Sequence, residues 1–473
     1  MLKKIFTHSF IYGMAPHVPK IASIFIYPLL TAHLTEIDYG IAGVIATYMA
    51  ALVVFQSLGL RLLLVNSFYH NSNHYLWRWK YIYGLLRVWQ IVFAVILIPV
   101  LYLVIPNEAI DNRWMIIGLS IAPLVVYGPV TMLMSTYYQL KQKPTSIGLR
   151  SVVFGFLTVG INYYTIVTLE LGYMGWFITN FTIAILTSFS YWVPFKFKLK
   201  IKPIYIFKPK IIKKYLKISL PVVPHYYSGY LLNSSDRLVM DSLNVTTSGI
   251  GKYSFAYTFG NYFDMLTQAI TVAIAPMLNE EIKAKREERF RIIVFSVQFF
   301  IFSTTFTVSV WCKEIFEFLI RNDSLKELYP LTIIIIMSYN YRAAYNGVMS
   351  RLFYHEKTTS LWKISLIAGA LNIGLNLCFV PYFGYEAAAY TTFIALLYMG
   401  YSGYFLPIYK EIKTDVKYYP LLWMFVQIGI TIVAVLIMDS NYLIKLGASF
   451  VIWIPTFYWV YRNKIALLKD SSQ

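Results

Sequence analysis

Apolar runs of about 20 residues recur along this 473-residue chain almost from end to end. A helix rising about 1.5 Å per residue crosses the hydrocarbon of a bilayer in that length. In hydrocarbon each backbone N–H and C=O must find its partner inside the protein, so such runs fold as spanning helices. A soluble domain of this size would be nearer a quarter charged, whereas this chain is 58% hydrophobic and 13% charged. The sequence therefore describes an all-α polytopic membrane protein.

Spans are predicted at about 9–30, 39–60, 82–104, 114–138, 146–169, 173–194, 218–241, 250–276, 290–311, 329–352, 359–380, 385–409, 418–438 and 442–461, fourteen in all. Lys3 and Lys4 precede the first run and no small-residue cleavage pattern closes it, so it is expected to remain a span. The connections alternate in charge. Basic ones include Arg61 to Arg87, Lys141 to Arg150, the lysine run 196–217 and Lys283 to Arg291, while the intervening ones carry Glu36 and Asp38, Glu170 or Glu386. By the positive-inside rule both termini are expected in the cytoplasm. The net charge of +19 then needs no nucleic acid to explain it. Cys312 and Cys378 give neither a disulfide framework nor metal-ligand spacing. No Gly-rich nucleotide fingerprint is present, so no cofactor, metal or ATP-driven step is expected.

The basic segment KFKLKIKPIYIFKPKIIKKYLK, 196–217, divides the chain and is expected to lie along anionic lipid headgroups. Its two sides resemble each other. Lys143-Pro144-Thr145-Ser146 matches Lys357-Thr358-Thr359-Ser360, and Gly160-Ile161-Asn162 matches Gly374-Leu375-Asn376, both at an offset of 214 residues (360 less 146; 376 less 162). Leu34, Gly40-Ile41 and Tyr48 match Leu243, Gly249-Ile250 and Tyr257 at an offset of 209 (249 less 40). Spans 1–6 and 7–12 thus read as two copies of a six-helix unit, parallel because each copy has an even number of spans, an arrangement found in transporters. The expected divisions are a first bundle at 1–195, the linker at 196–217, a second bundle at 218–409, and two added helices with a tail at 410–473.

Four spans carry polar groups that a simple anchor does not need. Span 1 holds Pro16, His17, Pro19, Lys20 and Pro28, and proline breaks the i→i−4 ladder and bends a helix. Lys20 lies 16 residues beyond Lys4, about 24 Å along a helix, so it needs the outer interface, an acidic partner or a cavity. Span 7, in LPVVPHYYSGYLLNSSDRLVMDSL, holds Pro221, Pro224, His225, Asn233, Asp236 and Arg237. An ionisable group at membrane depth costs about 2.5–3.5 kcal/mol on insertion scales and usually faces a partner or a cavity. The alternative is a helix end from which both charges reach the headgroups. Span 8 carries Asn261, Asp264 and Gln268 on one face, and span 10 carries Asn340, Arg342 and Asn346. Asp264 and Arg342 either pair across the bundle or line an aqueous cavity. Tyr226, Tyr227, Tyr257, Tyr341 and Tyr345 lie close by in sequence, among 41 tyrosines of which most serve packing or the interfacial belt.

These stretches resemble a family. LPVVPHYYSGYLLNSSDRLVMDSL, followed by IGKYSFAYTFG and Ala275-Pro276, resembles the seventh and eighth spans of the Wzx-type polysaccharide repeat-unit flippases. TSLWKISLIAGALNIGLNLCFVPYFGYEAAAYTT, 359–392, resembles their eleventh and twelfth, and YPLLTAHLTEIDYGIAGV with QSLGLR resembles the first hairpin. The family is similar to the multidrug/oligosaccharidyl-lipid/polysaccharide exporters, which implies two six-helix bundles around a central cavity. It implies a lipid-linked oligosaccharide substrate, an undecaprenyl diphosphate made on the cytoplasmic face of the bacterial inner membrane. The implied partners are membrane lipids, a polysaccharide polymerase and a chain-length regulator, and the implied products O-antigen lipopolysaccharide or capsule.

The charges fit such a substrate, since cationic groups in a low dielectric offset a diphosphate. Lys20, Arg237 and Arg342 are the expected substrate-binding cations. Asp264, and after it Asp236, are the expected sites of ion coupling. His17, His225, Tyr226, Tyr257, Asn261 and Asn340 are the expected glycan contacts. The rivals are a lipid II flippase, a drug/cation antiporter, which should carry an acid in the first half where span 1 has Lys20, and a polymerase or ligase, which should carry a large outside loop.

Overall fold

The computed structural model describes residues 18–70, 75–355, 357, 359–412 and 416–463, and among these every regular element is helical. The chain divides into two compact units, Met1–Tyr230 and Leu231–Gln473. The boundary falls inside the seventh expected span, so the basic linker is part of the first unit.

In the first unit α1 (Val18–Ser23) and α2 (Tyr27–His33) are joined by a single tight turn, followed by α3 (Glu36–Gln56), α4 (Arg61–His70), α5 (Tyr75–Val104), α6 (Arg113–Leu140), α7 (Pro144–Asn162) and α8 (Tyr173–Pro194). The helix α3 starts where a capping box forms, the Thr35 hydroxyl accepting the Asp38 N–H and the Asp38 carboxylate accepting the Thr35 N–H. The other Asp38 oxygen accepts the Tyr173 N–H at 2.8 Å, so one acid caps α3 and pins the start of α8. The chain turns there through Gly172, whose φ of +52° suits a residue without a side chain. Arg78, Lys80 and Arg87, expected in a connection, lie within α5, which extends beyond its predicted span.

The linker runs extended from about 201 to 208, then forms α9 (Pro209–Ser219), which leads through a short turn into α10 (Val223–Asn233). It is seated on α5 rather than free. The Ile204 N–H donates to the Lys80 carbonyl at 3.1 Å, and the Lys208 N–H to the Tyr81 hydroxyl at 3.1 Å. A Cβ at Gly84 would come within 2.0 Å of the Ile204 carbonyl oxygen, so only glycine allows the two backbones to approach this closely.

The second unit holds the rest of α10 and α11 (Ser235–Ser242), α12 (Thr247–Lys283), α13 (Glu287–Val310), α14 (Cys312–Leu319), α15 (Asp323–Lys326), α16 (Tyr329–Ser338), α17 (Tyr341–Tyr354), α18 (Thr359–Phe383), α19 (Ala387–Tyr401), α20 (Pro407–Ile412), α21 (Pro420–Ile437) and α22 (Tyr442–Arg462). The last two helices, expected as an addition, are stapled to α13 and its extension. Thr456 meets the Ser303 hydroxyl at 2.7 Å, the Trp453 indole donates to Thr307 at 3.1 Å, and the Trp311 indole donates to Ser449 at 3.1 Å. Lys313 pairs with Asp439, and Lys445 with Glu314.

Among the described residues, eight helices are long and apolar enough to cross a membrane. The fourteen expected spans are not matched one for one. Span 7 is broken between α10 and α11, and span 10 between α16 and α17, while the single run Lys363–Phe405 covers two expected spans. The 37-residue α12 is long enough but is interrupted by the polar Asn261, Asp264 and Gln268.

Candidate functional site

The second unit gathers most of the polar residues singled out in the sequence. The break after α10 places Asp236 in the first turn of α11, where the partial positive charge of a helix start favours a carboxylate. Asp236 is completely buried. One of its oxygens accepts from the amides of Asn372 at 2.7 Å and Asn376 at 2.9 Å, and the other from the Tyr253 hydroxyl at 2.8 Å and the Thr392 hydroxyl at 3.3 Å. The amide of Asn376 is held in turn by the Asn372 carbonyl oxygen and the Thr391 hydroxyl. A buried carboxylate costs several kcal/mol unless hydrogen bonds compensate it. Here each oxygen has two neutral donors, on α12, α18 and α19.

Arg237 shares Tyr253 with its neighbour and adds partners of its own. Its Nε donates to Ser254 at 3.2 Å, and its guanidinium lies 4.4 Å from the centre of the Tyr257 ring and 5.0 Å from that of Tyr253. Neither charge reaches out to headgroups, since Arg237 is only 9% exposed. A cation over aromatic faces is stabilised when desolvated, by about 2 kcal/mol.

Asp264 and Arg342 form an ion pair between α12 and α17. The second Asp264 oxygen accepts from Gln268, and the guanidinium lies 5.0 Å from the Tyr341 ring centre. Of the two arrangements that the sequence allows for these residues, the pairing is therefore the one observed. It does not exhaust Arg342, whose Nε is buried without a hydrogen-bond partner. One turn along α17, the Asn346 amide donates to Thr271 at 2.7 Å while its carbonyl oxygen is also without a partner. A cation and an amide on one helix face thus retain unused hydrogen-bonding capacity.

The break between α16 and α17 is held by buried amides. Gln298 donates to the Asn340 carbonyl at 3.4 Å, Gln427 of α21 donates to the Met337 carbonyl at 3.2 Å, and Thr305 donates to the Asn340 side-chain oxygen at 2.7 Å. They add donors at the broken turn, where the Met337 carbonyl also accepts the Asn340 N–H at 3.3 Å. Asn340 is thereby a fully buried structural group, and Tyr257 is buried as well. Asn261 is exposed on α12.

In the first unit Lys20 is exposed on α1, which packs through Pro19 against Gly155 of α7. A Cβ at Gly155 would fall 2.3 Å from Pro19. His17 lies outside the described residues, as do the side chains of His225 and Tyr226.

Sequence reasoning missed the shell of Asp236 and the glutamines at the helix break. A signal was present for both. Asn372 and Asn376 are four apart on an apolar helix, and Gln298 and Gln427 stand alone in apolar runs, positions where a polar side chain implies a partner.

Broken helices with buried polar groups, set in a bundle of membrane-spanning length, define a membrane transporter fold. The chain belongs to the family described as polysaccharide biosynthesis protein, which it matches over residues 5–282, more than half its length. Its structure is similar to the lipid II flippase MurJ in an inward closed conformation, with a TM-score of 0.68 and 14% identity over 92% of this chain and 99% of that one. It is also similar to an inward-facing multidrug resistance MATE family transporter of the MOP superfamily, with a TM-score of 0.65 and 11% identity over 90% and 98% of the two chains. The Vibrio cholerae MATE transporter VcmN in its bent form gives a TM-score of 0.53 and 12% identity over 87% and 96%. No curated protein sequence matches the chain. The expected family of polysaccharide biosynthesis proteins, and an all-helical fold shared with the MurJ and MATE structures, are thus borne out.

Proposed function

We propose that the protein is a flippase that moves undecaprenyl-diphosphate-linked oligosaccharide repeat units from the cytoplasmic to the outer face of the bacterial inner membrane by alternating access, supplying O-antigen, capsule or exopolysaccharide synthesis. The observation that carries this reading is Arg342. A guanidinium held by one acid and still partly exposed suits an anionic ligand better than a cationic drug. Arg237 and Lys20 supply further positive charge. The family match to polysaccharide biosynthesis supports the same substrate class.

The two acids are suited to different tasks. Protonating Asp264 would unpair Arg342, so Asp264 holds the cation in place. Asp236 is hydrogen-bonded only by neutral groups, with the Arg237 charge acting on it without a hydrogen bond, so it can take up a proton or a sodium-sized cation without breaking a hydrogen-bonded ion pair. We therefore assign coupling to Asp236 ahead of Asp264, reversing the order expected from the sequence.

The test measures polymer at the cell surface, lipid-linked oligosaccharide inside and protein in the membrane fraction for Lys20→Ala, Arg237→Ala, Arg342→Ala, and Asp264→Asn combined with Arg342→Gln. Arg342→Ala is expected to lower abundance, because it strands Asp264 at a cost of about 1.5–3 kcal/mol. The double variant is expected to recover abundance yet accumulate the lipid-linked precursor. Full surface polymer in the double variant and in all three alanine variants would end the proposal.

A further inference from the structure

The linker helix α9 is anchored along one side and leaves apolar side chains open beside it. Tyr215 packs edge-on against Tyr81 with ring centres 5.7 Å apart, and Ser219 is buried so close to Gly59 that a Cβ there would meet the Ser219 carbonyl oxygen at 2.2 Å. Ile212, Leu216 and Leu220, at four-residue spacing along α9 and the turn after it, border a shallow open groove of about 810 Å³ that Pro209 and Pro221 also line. Lys213 and Lys217, one turn apart and both exposed, line the same groove. The linker cannot swing these lysines away, because Ile204 and Lys208 fasten it to α5 just upstream.

We infer that this groove is the cytoplasmic docking site for the polyprenyl diphosphate end of the substrate, with the isoprenoid chain against Ile212, Leu216 and Leu220 and the diphosphate between Lys213 and Lys217. The inference rests on the proposed function for its substrate. The charge complementarity is specific in kind: an apolar floor beside two ammonium groups fits a chain that ends in concentrated negative charge. Two phosphates on one chain give each lysine its own oxygens, whereas an ordinary phospholipid presents one.

The experiment titrates the full-length detergent-solubilised protein with undecaprenyl diphosphate and, separately, with phosphatidylglycerol, and reads the bound fraction by native mass spectrometry. Lys213→Glu with Lys217→Glu is compared with Lys198→Glu with Lys202→Glu, which makes the same change of charge elsewhere on the segment. Intrinsic tryptophan fluorescence on heating confirms that each variant is folded. The groove variant is expected to bind undecaprenyl diphosphate roughly tenfold less tightly, with phosphatidylglycerol little changed, while the other variant behaves as wild type. Leu216→Asn is expected to weaken the same lipid. Equal losses in both charge variants, or parallel loss of both lipids, would overturn the inference in favour of a general anionic surface. An unchanged groove variant would overturn it too. If in that case the Asp264→Asn, Arg342→Gln variant loses the lipid, the proposed function stands without the groove. A wild-type chain that binds no undecaprenyl diphosphate removes both.

Discussion

Asp236 is the residue at which charge and burial are most sharply opposed. Its four donors are neutral, so replacing the carboxylate by an amide removes the charge while leaving much of the network in place. Asp236→Asn is therefore expected to accumulate normally in the membrane but to lose the dependence of transport on a proton or sodium gradient. Transport assayed in vesicles across pH and sodium titrations checks this, and a variant that still follows the gradient would rule out coupling at this position. At the same scale, the sequence disclosed the chemistry better than the geometry. Asp236 and Arg237 are adjacent in sequence, and their partners lie 16 to 156 positions away in the chain, with Tyr253 meeting both. Only the folded chain shows such pairings.

At the scale of elements, the helices follow from apolar length and their breaks from local chemistry. The proline-rich span 7 was legible as a bent helix, and it is broken. The break in span 10 has no proline to announce it, and it persists because Gln298, Thr305 and Gln427 satisfy the groups it frees. Gln427→Leu is expected to lower stability by about 1–3 kcal/mol, because it takes an acceptor from the buried Tyr401 hydroxyl and one of two donors from the Met337 carbonyl, seen as a lower unfolding midpoint in detergent. An unchanged midpoint would mean that other groups serve Tyr401. The linker offers a second case. A side chain at Gly84 cannot coexist with the Ile204 carbonyl, so Gly84→Val should lift the segment and speed tryptic cleavage after Lys202. Cleavage at the wild-type rate would show that the seat is not needed. The lysines of 196–217 made that segment legible as a surface element, but nothing in its composition indicated that it is pinned to α5.

At the scale of the whole molecule, the sequence carries an internal repeat and alternating basic connections as patterns of order and charge. Contacts divide the chain between Tyr230 and Leu231, a point that packing rather than composition sets. The proposed orientation puts the linker and both termini in the cytoplasm. A cysteine at Lys208, in a chain whose exposed Cys378 is replaced by serine, should react with an impermeant maleimide only after cells are opened, and labelling of intact cells would reverse the orientation. The stapling of α21 and α22 has a consequence for dissection of the chain. Gln427 donates to the Met337 carbonyl at the α16–α17 break and accepts from the buried Tyr401 hydroxyl, and α22 adds the links to Ser303, Thr307, Trp311 and Glu314. A chain cut back to the twelve-helix plan would therefore not be a smaller version of the fold but an incomplete one, with buried polar groups short of their partners. Supplying the missing pair as a separate fragment should restore it, because the joints are side-chain contacts that do not depend on the peptide link.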